Sequence, residues 1–343
     1  MAATRTDIIR RDPLDALRNL RVQPESLAAL GILGLLLLFA LLRYDGFFNP
    51  YNVTAVLSST DFISIGLMAL GLTFVISAKE IDLSPAAVAV LASVTAALLS
   101  PYGTVVAVVG AVAVGTFFGA VNGVLVAYLR LPSFIVTLAS AMALSGLALV
   151  IAGRGRIPVE SSSSLLELAR AQIGVVPLAF VALVLITLLC WYFYSHRPFG
   201  RHVLAVGGSA EAARLMGLNV ARVQCATFVI TGLLSGLAGV FLTAKTATGN
   251  PVEGRGWELI AIASVILGGT RLSGGKGSVL STLTGVALFA IVFQVLNYEN
   301  GQGIPINAYW QNVIRGALVL AVILAQATAT RRAERRLRRA IVQ

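Results

Sequence analysis

TVVAVVGAVAVGTFFGAVNGVLVAY, residues 104–128, runs for 25 residues without a charged side chain. A helix needs about 20 apolar residues to cross the roughly 30 Å hydrocarbon core of a bilayer, so this stretch reads as a spanning helix. Gly110, Gly115, Gly119 and Gly123 recur in it every four or five residues. Small residues at that spacing let one helix approach another closely where lipid supplies no hydrophobic drive, so tight packing is their first reading. Gly232, Gly236 and Gly239 repeat the pattern farther along.

Outward from this run the pattern repeats. Apolar stretches fall at 27–42, 62–78, 85–99, 104–128, 134–152, 175–194, 225–244, 257–268, 279–296 and 310–328, the third and eighth being the shortest. Of 343 residues 57% are hydrophobic and 12% charged, against about 25% charged in a soluble domain. The expected fold is therefore an all-α polytopic membrane protein of about ten transmembrane helices. It divides into a tail at 1–26, a membrane domain at 27–328 with its longest polar loop at 195–224, and a basic tail at 329–343.

The charges orient it. With the N-terminus cytoplasmic and ten spans, 19 Lys and Arg fall on the inner side and 6 on the outer, Arg315 lying inside the last run. That is the positive-inside pattern, and it places both termini in the cytoplasm. The same distribution, between apolar runs rather than along a stripe, argues against nucleic-acid binding despite the net charge of +11. Asp12-Pro13 reads as a helix start, either of a short interfacial helix or of a frayed tail. Cys190 and Cys225 sit at the edges of apolar runs, where they act as small hydrophobes.

Enzyme chemistry finds no support in the residues. The two histidines, His196 and His202, share one loop away from Ser145 and Ser235, and no H-E-x-x-H or Cys/His metal spacing exists. GGTRLSGGKGS at 268–278 has the look of a phosphate loop. It fails because Thr270 stands five before Gly275 and Gly277 follows Lys276.

Charges in or beside spans are costly in lipid and mark functional candidates. Glu80 and Asp82 lie where the apolar pattern breaks, and Glu258 begins the eighth run. For the break two readings stand: Asp82 or Ser84 caps a helix with Pro85 at its first position, or the segment belongs to a solute path. For Glu258 they are an interfacial anchor beside Trp257 or a path-lining carboxylate. Arg315 either pairs with a carboxylate or snorkels along its span. Asn122 is a candidate for an interhelical hydrogen bond or a solute contact, and Thr137 completes the path candidates.

In the longest loop, Ser209 to Leu218 (SAEAARLMGL) reads as a helix of about two turns. Ser209 is its N-cap, Glu211 suits its positive end and Gly217 stops it. Leu215, Met216 and Leu218 give it apolar surface, and so short a helix wants a partner.

AEAARLMGLNVARV resembles the coupling-helix segment of bacterial ABC-importer permeases of the ribose/xylose, or branched-chain amino acid/ribose, type. The resemblance extends through EIDLS at 80–84, VNGVLVAYLRLPSFIVTLAS at 121–140, FGRHVLAVGGSAEAA at 199–213 and ELIAIASVILGGTRLSGGKGS at 258–278. Ala78-Lys79-Glu80 departs from it, standing where the sugar permeases usually carry two glycines, and Pro85-Ala86 replaces a usual Val-Gly. The resemblance implies a permease of the type II importer kind in the bacterial cytoplasmic membrane, working as a homodimer. Its implied partners are cytoplasmic ATPase subunits, which carry ATP and Mg, and an extracytoplasmic solute-binding protein. The chain itself would hold no cofactor. Glu211, Ala212, Ala213, Arg214, Leu215, Met216 and Gly217 would then form the coupling element, and solute would cross at the dimer interface. The competing reading is an ion-coupled secondary transporter using Glu80, Asp82 or Glu258.

Overall fold

Residues 24–44, 46–153, 155–301, 309–324 and 328 are described by a computed structural model. The helices of six residues or more, in chain order, are α1 (Pro24–Arg43), α2 (Pro50–Leu57), α3 (Thr60–Ser77), α4 (Pro85–Leu99), α5 (Thr104–Ala127) and α6 (Ser133–Ile151). Then come α7 (Leu178–His196), α8 (Pro198–Gly208), α9 (Ala210–Leu215), α10 (Val220–Thr246), α11 (Trp257–Leu267), α12 (Val279–Gly301) and α13 (Tyr309–Leu324). Seven helical stretches among the described residues are long and apolar enough to cross a membrane. Three shorter apolar ones, Leu30–Arg43, Trp257–Leu267 and Tyr309–Leu324, fall on the remaining predicted runs. The Asp12-Pro13 start and the 329–343 tail lie outside the described residues.

Helix α10 is the central post, packed on α3, α4 and α5. Its contact with α5 is built from glycine. A Cβ placed on Gly232 would lie 2.3 Å from the Gly115 carbonyl oxygen, and one on Gly119 2.5 Å from that of Phe228. The two backbones touch, so the small-residue spacing seen in both sequences marks one shared seam. Hydroxyls bridge the other contacts. Thr73 and Thr282 lie 2.8 Å apart, Ser93 and Thr243 2.7 Å, and Ser64 donates to the Ala238 carbonyl at 3.2 Å. With no water in a bilayer core, such bonds satisfy groups that otherwise cost free energy.

The breaks between helices collect at two ends. At one, Ser77 lies 2.7 Å from Tyr194 and its carbonyl accepts the Gly275 N–H at 3.0 Å. At the other, β1 (Ile157–Pro158) pairs antiparallel with Thr248–Gly249, Thr104 lies 2.6 Å from Ser164, and Lys245 Nζ donates to Ser58 at 2.9 Å. Helices α3, α4, α5, α6, α7 and α10 each connect these ends. A second two-residue hairpin, Gln172–Ile173 with Val176–Pro177, lies in the segment before α7. Helices α5, α6 and α7 leave most of their apolar surface outside the chain.

Two expectations need correction. The segment 195–224 is not mainly loop: α8 fills its first half, and α10 starts at Val220 rather than Cys225. A second helix, α2, precedes α3 where only loop was expected; Asn49 caps it by accepting the Asn52 N–H at 2.7 Å, with Pro50 at its first position.

Candidate functional site

Helix α3 ends in a Schellman turn, with the Glu80 N–H on the Val75 carbonyl at 3.1 Å and the Lys79 N–H on that of Ile76 at 2.9 Å. This geometry puts Lys79 at φ +67°, the left-handed region that favours glycine. Lys79 therefore bears backbone strain that a glycine at this turn would not. Beyond it the chain runs extended, stitched to α6: Ile81 N–H donates to Ser133 Oγ at 3.2 Å and Leu83 N–H to Thr137 Oγ1 at 3.1 Å.

Asp82 turns back on its own chain. Its Oδ1 accepts the Ser84 N–H at 2.8 Å and the Ser84 hydroxyl at 2.6 Å, while Asn122 Nδ2 donates to Ser84 Oγ at 2.9 Å. Pro85 does occupy the first helical position of α4, but Ser84 at the N-cap makes no side-chain capping bond because its hydroxyl is committed to Asp82. Asp82, Asn122 and Thr137 are at most 2% exposed. Three of the path candidates therefore meet in one network joining the break to α5 and α6, in which Asn122 Oδ1 is left without a partner among the described residues. Burial pushes the Asp82 carboxyl up to about 6, against the smaller pull of its two Ser84 bonds.

Glu80 points elsewhere. Gln224 Nε2 donates to its Oε1 at 2.6 Å across a cleft of about 680 Å³ lined also by Arg130, Ser133, Arg214 and Asn219. Burial raises its carboxyl above the usual range.

The short helix α9 forms as its sequence suggests. Ser209 Oγ accepts the Ala212 N–H at 3.2 Å, and the Leu218 N–H closes on the Ala213 carbonyl at 3.0 Å with Gly217 at φ +82°. Ala213 is buried against Val203, Val206, Val220 and Val223, and Leu218 packs on the same cluster rather than facing out. Leu215 and Met216 are 83% and 84% exposed, and Glu211, Ala212, Arg214 and Gly217 are exposed as well.

Helix α8, which leads into the short helix, seats on the end of α3. A Cβ on Gly207, near the end of α8, would fall 1.8 Å from the Ser77 carbonyl oxygen and 2.6 Å from the Gly275 nitrogen. The Gly268–Ser278 loop therefore serves packing: its backbone seats on the end of α3 beside α8. A chain of contacts therefore runs from α9 through α8 to Ser77, three residues before Glu80.

Glu258 stands apart from these groups. The chain before it descends along α4: a Cβ on Gly249 would meet Val94 and Ala97, whereas one on Gly254 would meet Val90, with the Ala86 carbonyl 3.8 Å away. That is a descent of about two helical turns, ~10 Å. Helix α11 consequently begins inside the bundle, with Trp257 buried and Glu258 in its first turn. The eighth run is short because a non-helical segment of turns, Asn250 to Gly256, precedes it along α4.

Arg315 pairs with a carboxylate that sequence reasoning passed over. Its Nη2 lies 3.6 Å from Asp61 Oδ1 in the first turn of α3. Asp61 sits at the edge of an apolar run and carries no local signal of a partner.

Seven helical stretches of membrane-crossing length among the described residues, broken by the Glu80–Pro85 interruption, with a short helix presenting an exposed apolar pair, fit an integral membrane subunit. The family model for the branched-chain amino acid transport system / permease component matches residues 54–323. The chain belongs to that family. It is 32% identical over 300 residues to the ribose import permease protein RbsC of Escherichia coli K12, covering 85% of this chain and 91% of that one. It is 33% identical over 298 residues to the RbsC of Bacillus subtilis, covering 86% and 90%. To the L-arabinose ABC transporter permease protein AraH of Azospirillum brasilense it is 32% identical over 293 residues, covering 84% of each. No solved structure matches.

Proposed function

We propose that this chain is the membrane-spanning subunit of an ATP-driven importer for a monosaccharide or similar small polar solute. The observation that carries the reading is the Leu215–Met216 pair, fully presented on a helix whose other face is locked through α8 to the end of α3. An apolar pair so exposed at the basic end calls for a soluble partner, and a rigid link behind it turns docking into movement of the bundle. Relatives named as permeases for ribose, L-arabinose and D-allose support a sugar as the solute class.

In this reading ten spans cross the cytoplasmic membrane with both termini inside, and the basic end faces the ATPase. Two copies form the path, using the apolar surface that α5, α6 and α7 leave uncovered. ATP and Mg belong to the partner ATPase, and a separate extracytoplasmic protein delivers solute. Glu80, Asp82, Asn122, Thr137 and Glu258 are the proposed path or path-moving residues.

The test is Gly217→Pro, or replacement of residues 211–217 by a flexible linker, followed by uptake and membrane-insertion assays. Loss of uptake with normal insertion is expected. Normal uptake sinks the coupling assignment, and uptake that collapses with an ion gradient but not with ATP depletion favours the secondary-transporter reading.

A further inference from the structure

The cleft beneath Glu80 has a charge pattern that solute transfer leaves unused. It opens at the basic end between the α5–α6 turn and the start of α10, and holds about 680 Å³. Arg130 enters from the turn and Arg214 from α9. Both are exposed, and among the described residues neither guanidinium has a hydrogen-bond or ion-pair partner. Glu80 is the one acidic lining residue, and its Oε1 is already held by Gln224.

Two unpaired guanidiniums against one carboxylate leave the cleft positive. The starts of two long helices reinforce this, since α6 begins at Ser133 and α10 at Val220, both on the wall. Each helix start carries about half a positive charge. A neutral polyol would need donors and acceptors in balance, and here cationic donors dominate. The arginine fork matches phosphate oxygens, and charge-assisted bonds of this kind are about twice as strong as neutral ones. The volume greatly exceeds that of a bare phosphate ion, so the group would arrive on a larger molecule.

We propose that this cleft binds a phosphate-bearing group, a soluble phosphomonoester or a phospholipid headgroup, which clamps α9 to the α5–α6 turn. Arg130 and Arg214 hold the phosphate from opposite sides, and Glu80 weakens the hold. Such a ligand would stiffen the coupling helix relative to the bundle, whichever solute is carried.

The test uses the full-length chain in phosphatidylcholine nanodiscs, titrated with inorganic phosphate against chloride at matched ionic strength and followed by thermal unfolding. Phosphate is expected to raise the midpoint with a saturable, mass-action dependence. R130Q and R214Q should each weaken apparent affinity about tenfold, and E80Q should strengthen it. A parallel arm uses nanodiscs containing phosphatidylglycerol and native mass spectrometry. Lipid retained by the wild type and lost from both arginine variants, without a phosphate effect, identifies the headgroup as the source. No preference of phosphate over chloride together with no arginine-dependent lipid overturns the proposal, as does a phosphate effect that survives both arginine variants. Neither readout involves uptake, so this proposal and the importer reading fail separately.

Discussion

Arg315 in α13 lies 3.6 Å from Asp61 in the first turn of α3, with its guanidinium 4.3 Å above the Phe293 ring of α12. One cation thus ties α3 to the consecutive helices α12 and α13. Both side chains are about one-fifth exposed, 22% and 19%. Breaking the pair should therefore cost less than the 3–5 kcal/mol typical of a fully buried one, about 2 kcal/mol. D61N and R315Q should each lower the thermal midpoint in nanodiscs, and the exchange D61R/R315D should recover much of the loss. Additive loss in the double variant would mean that the two residues act independently.

The glycine seam predicts a sharp contrast between positions. A Cβ on Gly232 would lie within 2.3 Å of backbone on α5, whereas one on Gly146 would meet nothing within 4 Å. G232A should push α5 from α10 and cost about 1–3 kcal/mol, as overpacking does. G146A, on the open face of α6, should be neutral or slightly stabilising through helix propensity. Equal thermal midpoints for the two variants would remove the seam from the account of stability.

Where local signals decide structure, the sequence was readable. Pro85 starts α4, Ser209 caps α9 and Gly217 ends it, because each acts within a few residues of chain. Helix α8 was hidden because PFGRHVLAVGG carries three glycines and owes its helical form to its seat on Ser77, a tertiary contact. The Asp82–Ser84–Asn122 network and the Asp61–Arg315 pair join residues far apart in sequence, and no spacing rule reaches them. For Glu258 residue counting left two readings open, because the packing of Asn250–Gly256 along α4 that places it is a tertiary contact.

Asp82 gives a pH dependence with a defined sign. Burial holds its carboxyl at about 6 against an ordinary 3.8, so the folded chain binds the proton more tightly than the unfolded chain. Stability from this group therefore falls as pH rises from about 4 to 6, and the loss is complete above that window. The gap corresponds to about 3 kcal/mol in order of magnitude. D82N keeps an acceptor for Ser84 without the charge. Its thermal midpoint should exceed the wild type's at pH 7 and converge with it near pH 4. Parallel curves for the two proteins across that range would show that Asp82 carries no such penalty.

Glu258 offers the most direct test of a path residue, because its two roles differ in size. As an acidic group in the first turn of α11 it gains from the helix dipole, worth about 0.3–1 kcal/mol at such a position. E258Q should accordingly cost little stability. Its position is another matter: half-buried, it begins a helix that starts inside the bundle after a turn-rich descent along α4. Interrupted crossings of this kind present helix ends and polar groups to a passing solute. E258Q should therefore lower uptake efficiency by about fivefold or more, equivalent to about 1 kcal/mol, with the protein still inserted and folded. E167Q, on the exposed one-turn helix Glu167–Arg170 that precedes α7, provides the control and should leave uptake unchanged. If E258Q transports with unaltered KM and maximal rate, Glu258 is a helix-end charge and the path runs elsewhere.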